Sequence, residues 1–100
     1  MNNELSLLGL ATKASKTISG ESMVLEAIRN GQAKLVIVAC DASDNTKKKF
    51  RDKCNYYNVE LIICSDRETL GRYCKKEVRT VVAVTDEGFA KSLVKKLGGQ

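Results

Sequence analysis

Between positions 75 and 79 the chain reads Lys75-Lys76-Glu77-Val78-Arg79, an aliphatic side chain set among cations. An exposed apolar group flanked by cations can cover an unstacked base while the cations meet phosphate. The plainer reading is a polar turn in which Val78 opens the next strand. Other basic clusters stand at Lys47, Lys48, Lys49, Arg51 and Lys53, at Arg67, Arg72, Lys75, Lys76 and Arg79, and at Lys91, Lys95 and Lys96. On a helix 47/51 and 49/53 stack one turn apart, so the first cluster reads mainly as a solvated face. Four segments offer capping residues: Ser19-Gly20-Glu21-Ser22, Asp41-Ala42-Ser43-Asp44, Ser65-Asp66-Arg67 and Thr85-Asp86-Glu87. Each would present backbone N–H groups at the positive end of a helix, suited to anions or nucleic-acid edges. Ordinary capping explains the same residues without a ligand.

Several chemistries are excluded by what is missing. The chain has no His, which removes Ser-His-Asp and Cys-His catalysis and the commonest mixed metal sites. Neither G-x-G-x-x-G nor G-x-x-x-x-G-K-[ST] occurs. Asp41, Asp66 and Asp86 each follow an apolar run, and converging carboxylates could hold Mg²⁺ as in a phosphoacceptor domain. All three also stand where a helix wants a cap. Cys40, Cys54, Cys64 and Cys74 form no C-x-x-C pair and are expected to be packed free thiols. The expectation is a protein without catalytic residues, metal or cofactor.

Seventeen Lys and Arg against 12 Asp and Glu give 100 residues a formal charge of +5, which suits an acidic partner. That length fits one domain, residues 1–100, and 43% hydrophobic residues are enough for a core. No apolar run approaches the roughly 18 residues of a membrane span. The opening Met1-Asn2-Asn3-Glu4 has no basic leader head, so a cytoplasmic location is expected.

The elements that must position these residues follow from periodicity. Leu35 to Ala39, Leu61 to Cys64 and Val81 to Val84 are short, apolar at successive positions and rich in Val or Ile, as in strands covered on both faces. Thr17-Ile18-Ser19 reads as a fourth, short strand that could pair antiparallel at an edge. Helical stripes surround them: Leu5, Leu8 and Thr12; Val24, Leu25 and Ile28, ended by Gly31; Phe50, Cys54 and Tyr57; and Phe89, Leu93 and Leu97. Ser65-Asp66-Arg67-Glu68 reads as a capping box with Ser65 at the N-cap, and Thr85 and Asp86 cap the last helix. Alternating helices and strands predict an α/β fold. The expected form is a three-layer α/β/α sandwich on a small, mixed, largely parallel four-stranded sheet.

Several of these motifs, in this order, resemble a known family. Gly20 through Gly31, Ala33-Lys34-Leu35-Val36-Ile37-Val38-Ala39, Asp41-Ala42-Ser43, Leu70-Gly71-Arg72 and Arg79 are similar to the kink-turn RNA-binding ribosomal-protein superfamily of the archaeal seven-Ae and thirty-e type. Asp44-Asn45-Thr46-Lys47-Lys48, Cys54-Asn55-Tyr56-Tyr57 and Val84-Thr85-Asp86-Glu87-Gly88-Phe89-Ala90 bring it nearest to a small bacterial branch. The resemblance runs from about Leu5 to Leu97. It implies an α/β/α sandwich, no catalysis, and structured, kink-turn RNA as partner, with ribosomes as a setting.

The resemblance also implies which residues meet RNA. The start of the second helix, Gly20, Glu21, Ser22 and Met23, would enter the groove at tandem sheared G·A pairs. Val78 and Arg79, with Lys76 and Arg67, would form the second contact, covering a flipped-out nucleotide. The family's usual G-x-N-E-x-x-K is here Gly20-Glu21-Ser22-Met23-Val24-Leu25-Glu26, and Lys75 replaces a usual Gly. Glu26, an anion where a phosphate-facing Lys is usual, motivates an alternative: a protein-interaction module on the same fold.

Overall fold

Two apolar layers sandwich a four-stranded sheet because its central strands alternate their side chains between two covered faces. The computed structural model describes residues 5–97, so the Met1–Glu4 opening lies outside the described residues. The elements are α1 (Ser6–Lys13), β1 (Thr17–Ser19), α2 (Glu21–Arg29), β2 (Leu35–Val38), α3 (Asp44–Tyr57), β3 (Glu60–Ile63), α4 (Arg67–Tyr73), β4 (Val81–Val84) and α5 (Glu87–Leu97). Leu35, Ile37, Val82 and Val84 face Leu8 of α1, Leu70 of α4 and Leu93 of α5. Val36, Val38, Val81 and Ala83 face Val24 and Ile28 of α2 and Phe50 and Cys54 of α3. Every residue of β2 and β4 is buried, as the unbroken apolar runs predict, whereas β3 at the sheet edge is only partly covered.

The α/β/α sandwich is as expected; the direction of one central strand is not. The strand order is β1-β4-β2-β3, with β2 and β3 parallel but β4 antiparallel to both β1 and β2. The sheet is therefore mixed with a single parallel pair, not largely parallel. Short β1 does pair antiparallel at an edge.

The cause is a reversal after α4. Lys75 takes a left-handed φ of +61°, the Lys76 N–H reaches the Gly71 carbonyl at 2.8 Å, and the Lys75 N–H reaches the Arg72 carbonyl at 3.2 Å. This is the Schellman arrangement, in which a left-handed residue closes the helix and turns the chain. The chain then runs back along α4 until the Arg79 N–H meets the Arg67 carbonyl at 3.0 Å. It enters β4 at the end of the sheet where β3 finished, so β4 must run antiparallel to β3. Gly71 makes the return possible, since a Cβ there would sit 2.7 Å from the Glu77 carbonyl oxygen and 2.8 Å from the Val78 nitrogen.

Helix starts follow the capping residues with one shift. Ser43 caps α3, its Oγ accepting the Thr46 N–H at 3.1 Å, and Asp86 accepts the Phe89 N–H at 2.9 Å. At α4 the N-cap is Asp66, which accepts the Thr69 N–H at 2.7 Å, and not Ser65, which has φ +62°. The carboxylate won because Ser65 sits in a left-handed turn, whereas an N-cap needs extended backbone, as Asp66 has. Two thiols, Cys54 and Cys74, are buried as expected and Cys64 is half-buried, but Cys40 is exposed, since it lies one residue past the buried run from Leu35 to Ala39.

Gly71→Ala should destabilise the fold by roughly 1–3 kcal/mol through overpacking, and shift the backbone resonances of residues 76–79 most. Lys75→Gly should stabilise it by roughly 0.5–1 kcal/mol, the left-handed penalty less the added freedom of the unfolded chain, read from urea midpoints. The Cys54 thiol, 1% exposed, is pushed by burial to about 12. An unfolded thiol ionises near 9, so the folded state holds its proton longer, and stability from this group is complete below that value and lost as pH rises toward 12. The stability margin of the wild type over Cys54→Ala should therefore narrow between about pH 8 and pH 10.5 in urea titrations, and a constant margin would refute this.

Candidate nucleic-acid interface

Because β1 pairs with β4, Ser19 lies across from Val82 and the Gly20 N–H donates to the Val81 carbonyl at 3.2 Å. The first turn of α2 and the segment entering β4 thus lie together at one end of the β1–β4 pair. Arg79 ties them together: its Nε donates to Ser19 Oγ at 2.9 Å and its Nη1 to the Val78 carbonyl at 3.0 Å. The Arg79 N–H bond to the Arg67 carbonyl adds the start of α4. Arg67 is held in turn by Asp41, whose carboxylate takes the Arg67 N–H at 3.0 Å and stands 3.4 Å from its Nε. Both side chains of that pair are about half exposed, so the bond orients Arg67 more than it stabilises the fold.

The start of α2 differs chemically from those of α3, α4 and α5. Gly20 precedes it with φ +98° and ψ 143°, a region that L side chains rarely enter, and a Cβ there would meet nothing within 4 Å. Conformation, not crowding, selects glycine, and the space beside the helix tip stays open for another molecule. No side chain caps α2, so its first-turn N–H groups keep their capacity to bind an anion or a base edge. Ser43, Asp66 and Asp86 fill that role at the other three starts. The Thr69 N–H also holds the Asp66 carboxyl below its usual range, as expected for a charged cap.

Apolar groups flank the tip. Met23 is 62% exposed and Val78 42% exposed, values that set them apart from the buried core side chains. Ser22 is exposed on the same turn. Two of the expected residues stand apart. Glu21 turns toward α3, where its carboxylate accepts from Lys49 Nζ at 3.1 Å and Thr46 Oγ1 at 3.3 Å. Lys76 sits at the far end of α4 beside Gly71, about 10 Å along the helix from Arg67. Glu26 stands 4.0 Å from Arg29, a turn below the tip.

The three aspartates do not converge. Asp41 serves Arg67, Asp66 and Asp86 cap helices, and Asp86 follows β4, whose antiparallel direction puts it at the opposite end of the sheet. Among the described residues no group of three or more His, Cys, Asp or Glu could hold a metal ion, and no helix is long and apolar enough to cross a membrane. Sequence reasoning placed Ser19 and Asp41 in capping segments and Gly71 in the family motif, but missed that they hold this surface together. Gly71 alone carried a usable signal, because an isolated glycine inside a helical pattern often marks close backbone approach.

Comparison with known proteins follows the same lines. Residues 3–94 match the ribosomal protein L7Ae/L30e/S12e/Gadd45 family. The chain is 55% identical over 91 residues to the RNA-binding protein YlxQ of Bacillus subtilis, covering 91% of each chain. It is 41% identical to the protein of the same name from Enterococcus faecium, covering 95% of this chain and 91% of that one. A solved structure from Bacillus halodurans C, a protein of unknown function, is 41% identical, with a TM-score of 0.94 over 98% of this chain and 99% of that one. The Giardia lamblia 15.5kD RNA binding protein shares the fold at a TM-score of 0.81 and 21% identity, over 95% of this chain and 82% of that one. From its matched residues and its nearly full-length bacterial relatives, this chain belongs to the ribosomal protein L7Ae/L30e/S12e/Gadd45 family.

Proposed function

We propose that this chain is a non-catalytic, cytoplasmic RNA-binding protein that recognises a sharply bent, kink-turn-type duplex, on ribosomal or other structured RNA. The observation that carries the reading is the Arg79 bridge to Ser19, which makes the uncapped tip of α2 and the Val78 segment one surface. The family match and the names of the YlxQ relatives support RNA as the partner.

Regular A-form RNA keeps its major groove closed to side chains, whereas a kinked duplex opens a groove and extrudes a base, so shape selects the site. The α2 tip enters there. Its N–H groups and Ser22 meet base edges, and the open space beside Gly20 lets backbone approach backbone. Val78 covers the extruded base and Met23 packs beside the groove. Arg67 and Arg79 meet phosphates at the bend, and Lys76 one farther along the arm. Glu21 works indirectly, fixing the tip against α3 through Lys49 and Thr46.

Anisotropy titrations against kinked and straight duplexes of one composition test this. The kinked duplex should bind at least about tenfold more tightly, with each neutralised phosphate adding roughly 0.7–0.9 to the log–log salt slope. Arg79→Ala and Val78→Asp should each weaken kinked-RNA binding about tenfold or more, as a desolvated charge-assisted contact worth roughly 1.5–3 kcal/mol requires. Thermal melts check that both variants remain folded. If neither changes the titration, the Val78 segment is no part of the surface. If kinked and straight duplexes bind alike, the protein does not read the bend, and the protein-interaction alternative gains.

A further inference from the structure

Along α3, the side that meets the α2 tip continues as a row of cations ending in an exposed aromatic ring. Positions 46, 49, 53 and 56 share one side of a helix. Two of them are fixed by contact: Thr46 and Lys49 both bond to Glu21, the residue after Gly20. Lys53 lies one turn on, is half-buried, and has no ion pair among the described residues. Tyr56 follows at 77% exposure, its ring edge-on to Tyr57 with centroids 4.9 Å apart. From Lys49 to Tyr56 the row covers about 10 Å along the helix axis.

We propose that RNA leaving the bend as a single strand continues along the α2–α3 side, with phosphates on Lys49 and Lys53 and a base stacked on Tyr56. The inference rests on the function proposed for the α2 tip and extends that surface to a second one. Three features favour an RNA strand as occupant. The row is continuous with the tip through the Glu21–Lys49 pair. The helix carries five cations, Lys47, Lys48, Lys49, Arg51 and Lys53, against two anions, Asp44 and Asp52. An aromatic face at the end of a cationic track is how proteins hold single strands without reading their sequence. A merely solvated helix face accounts for the lysines but gives no role to a large ring left four-fifths in water. The Glu21–Lys49 pair is no obstacle, because exposed pairs are weak and a phosphate can share Lys49.

The test compares a bare kinked duplex with the same duplex bearing a single-stranded tail of about six nucleotides on one end or the other, within the site sizes of such tracks. On one of the two ends the tail should tighten wild-type binding about tenfold and steepen the salt slope by roughly 0.7 per added phosphate contact. Lys53→Gln combined with Tyr56→Ala should hold bare-kink affinity within about twofold while abolishing the tail's gain, and Tyr56→Phe should restore the stacking part of it. The single variants Lys53→Gln and Tyr56→Ala serve should the double variant not fold. Tight binding of the bare kink with no gain from either tail overturns the track alone. A tail gain that survives the double variant, or equal losses on bare and tailed RNA, overturns it as well. Equal, weak binding of bare kinked and straight duplexes by the wild-type chain overturns the underlying reading, and the track with it.

Discussion

The candidate interface depends on one close contact, that of the Glu77–Val78 peptide against Gly71. With no Cβ in the way, the chain leaving α4 lies directly on the helix and returns to its start, where the Arg79 N–H meets the Arg67 carbonyl. The return decides the direction of β4, and β4's direction decides what stands beside Gly20. Had the chain crossed over to the far end of the sheet before entering β4, Val78 and Arg79 would lie a full strand length, about 13 Å, from the α2 tip. The Arg79–Ser19 bond then locks together what the topology has brought near. Gly71 allows the close return, and the strand order that goes with it brings the surface groups together.

Stability and recognition are drawn from separate parts of the molecule. The two core layers contain no buried polar or charged residue among the described positions. The four ion pairs among them all join exposed side chains, each worth about 0–1 kcal/mol. Burial of the large apolar groups, about 1.5–3 kcal/mol each, therefore holds the fold. A surface whose charges contribute little to folding can reorganise around a polyanion without threatening the core. Arg67 illustrates this: its backbone is fixed by two hydrogen bonds while half of its side chain stays in water.

The strands were legible because β2 and β4 are buried on both faces and so show as unbroken runs of Val, Ile, Leu and Ala. Helix starts were legible where a side-chain cap does the work, at Ser43 and Asp86. The helix ends were legible only in part. Ser15, Gly31, Asn58 and Lys75 all take the left-handed conformation after a helix, yet only glycine and asparagine announce it. Lys75 conceals the reversal after α4, and with it the direction of β4, which is why a largely parallel sheet was the natural reading. Of the site, Gly20, Val78 and Arg79 could be named from sequence and resemblance. Asp41 and Ser19 could be placed in capping segments, but not given their partners, which lie 26 and 60 residues away at a range no local pattern encodes. Glu21 was read as facing a ligand because nothing local shows that Lys49, 28 residues on, would take its carboxylate.

What α2 lacks is as informative as what it carries. A side-chain cap is worth about 1 kcal/mol, and α3, α4 and α5 each have one. At α2 the cap position holds Gly20, whose positive φ suits few other residues and which forgoes only about a few tenths of a kcal/mol beside a polar cap. Both α1 and α2 begin without a side-chain cap, but it is the start of α2 that stands beside the Arg79–Ser19 bridge and the exposed Met23 and Val78. Departures from the family's usual residues fit this account. Ser22 and Met23 change side chains around the tip but leave its backbone donors in place. The charge of Glu26 is offset by Arg29 one turn on, so a phosphate approaching that face meets a balanced pair instead of a lone anion. On the function proposed above, recognition through backbone donors and a fixed cleft would tolerate such changes, because the shape of a bent duplex, and not the identity of one contacting side chain, would select the partner.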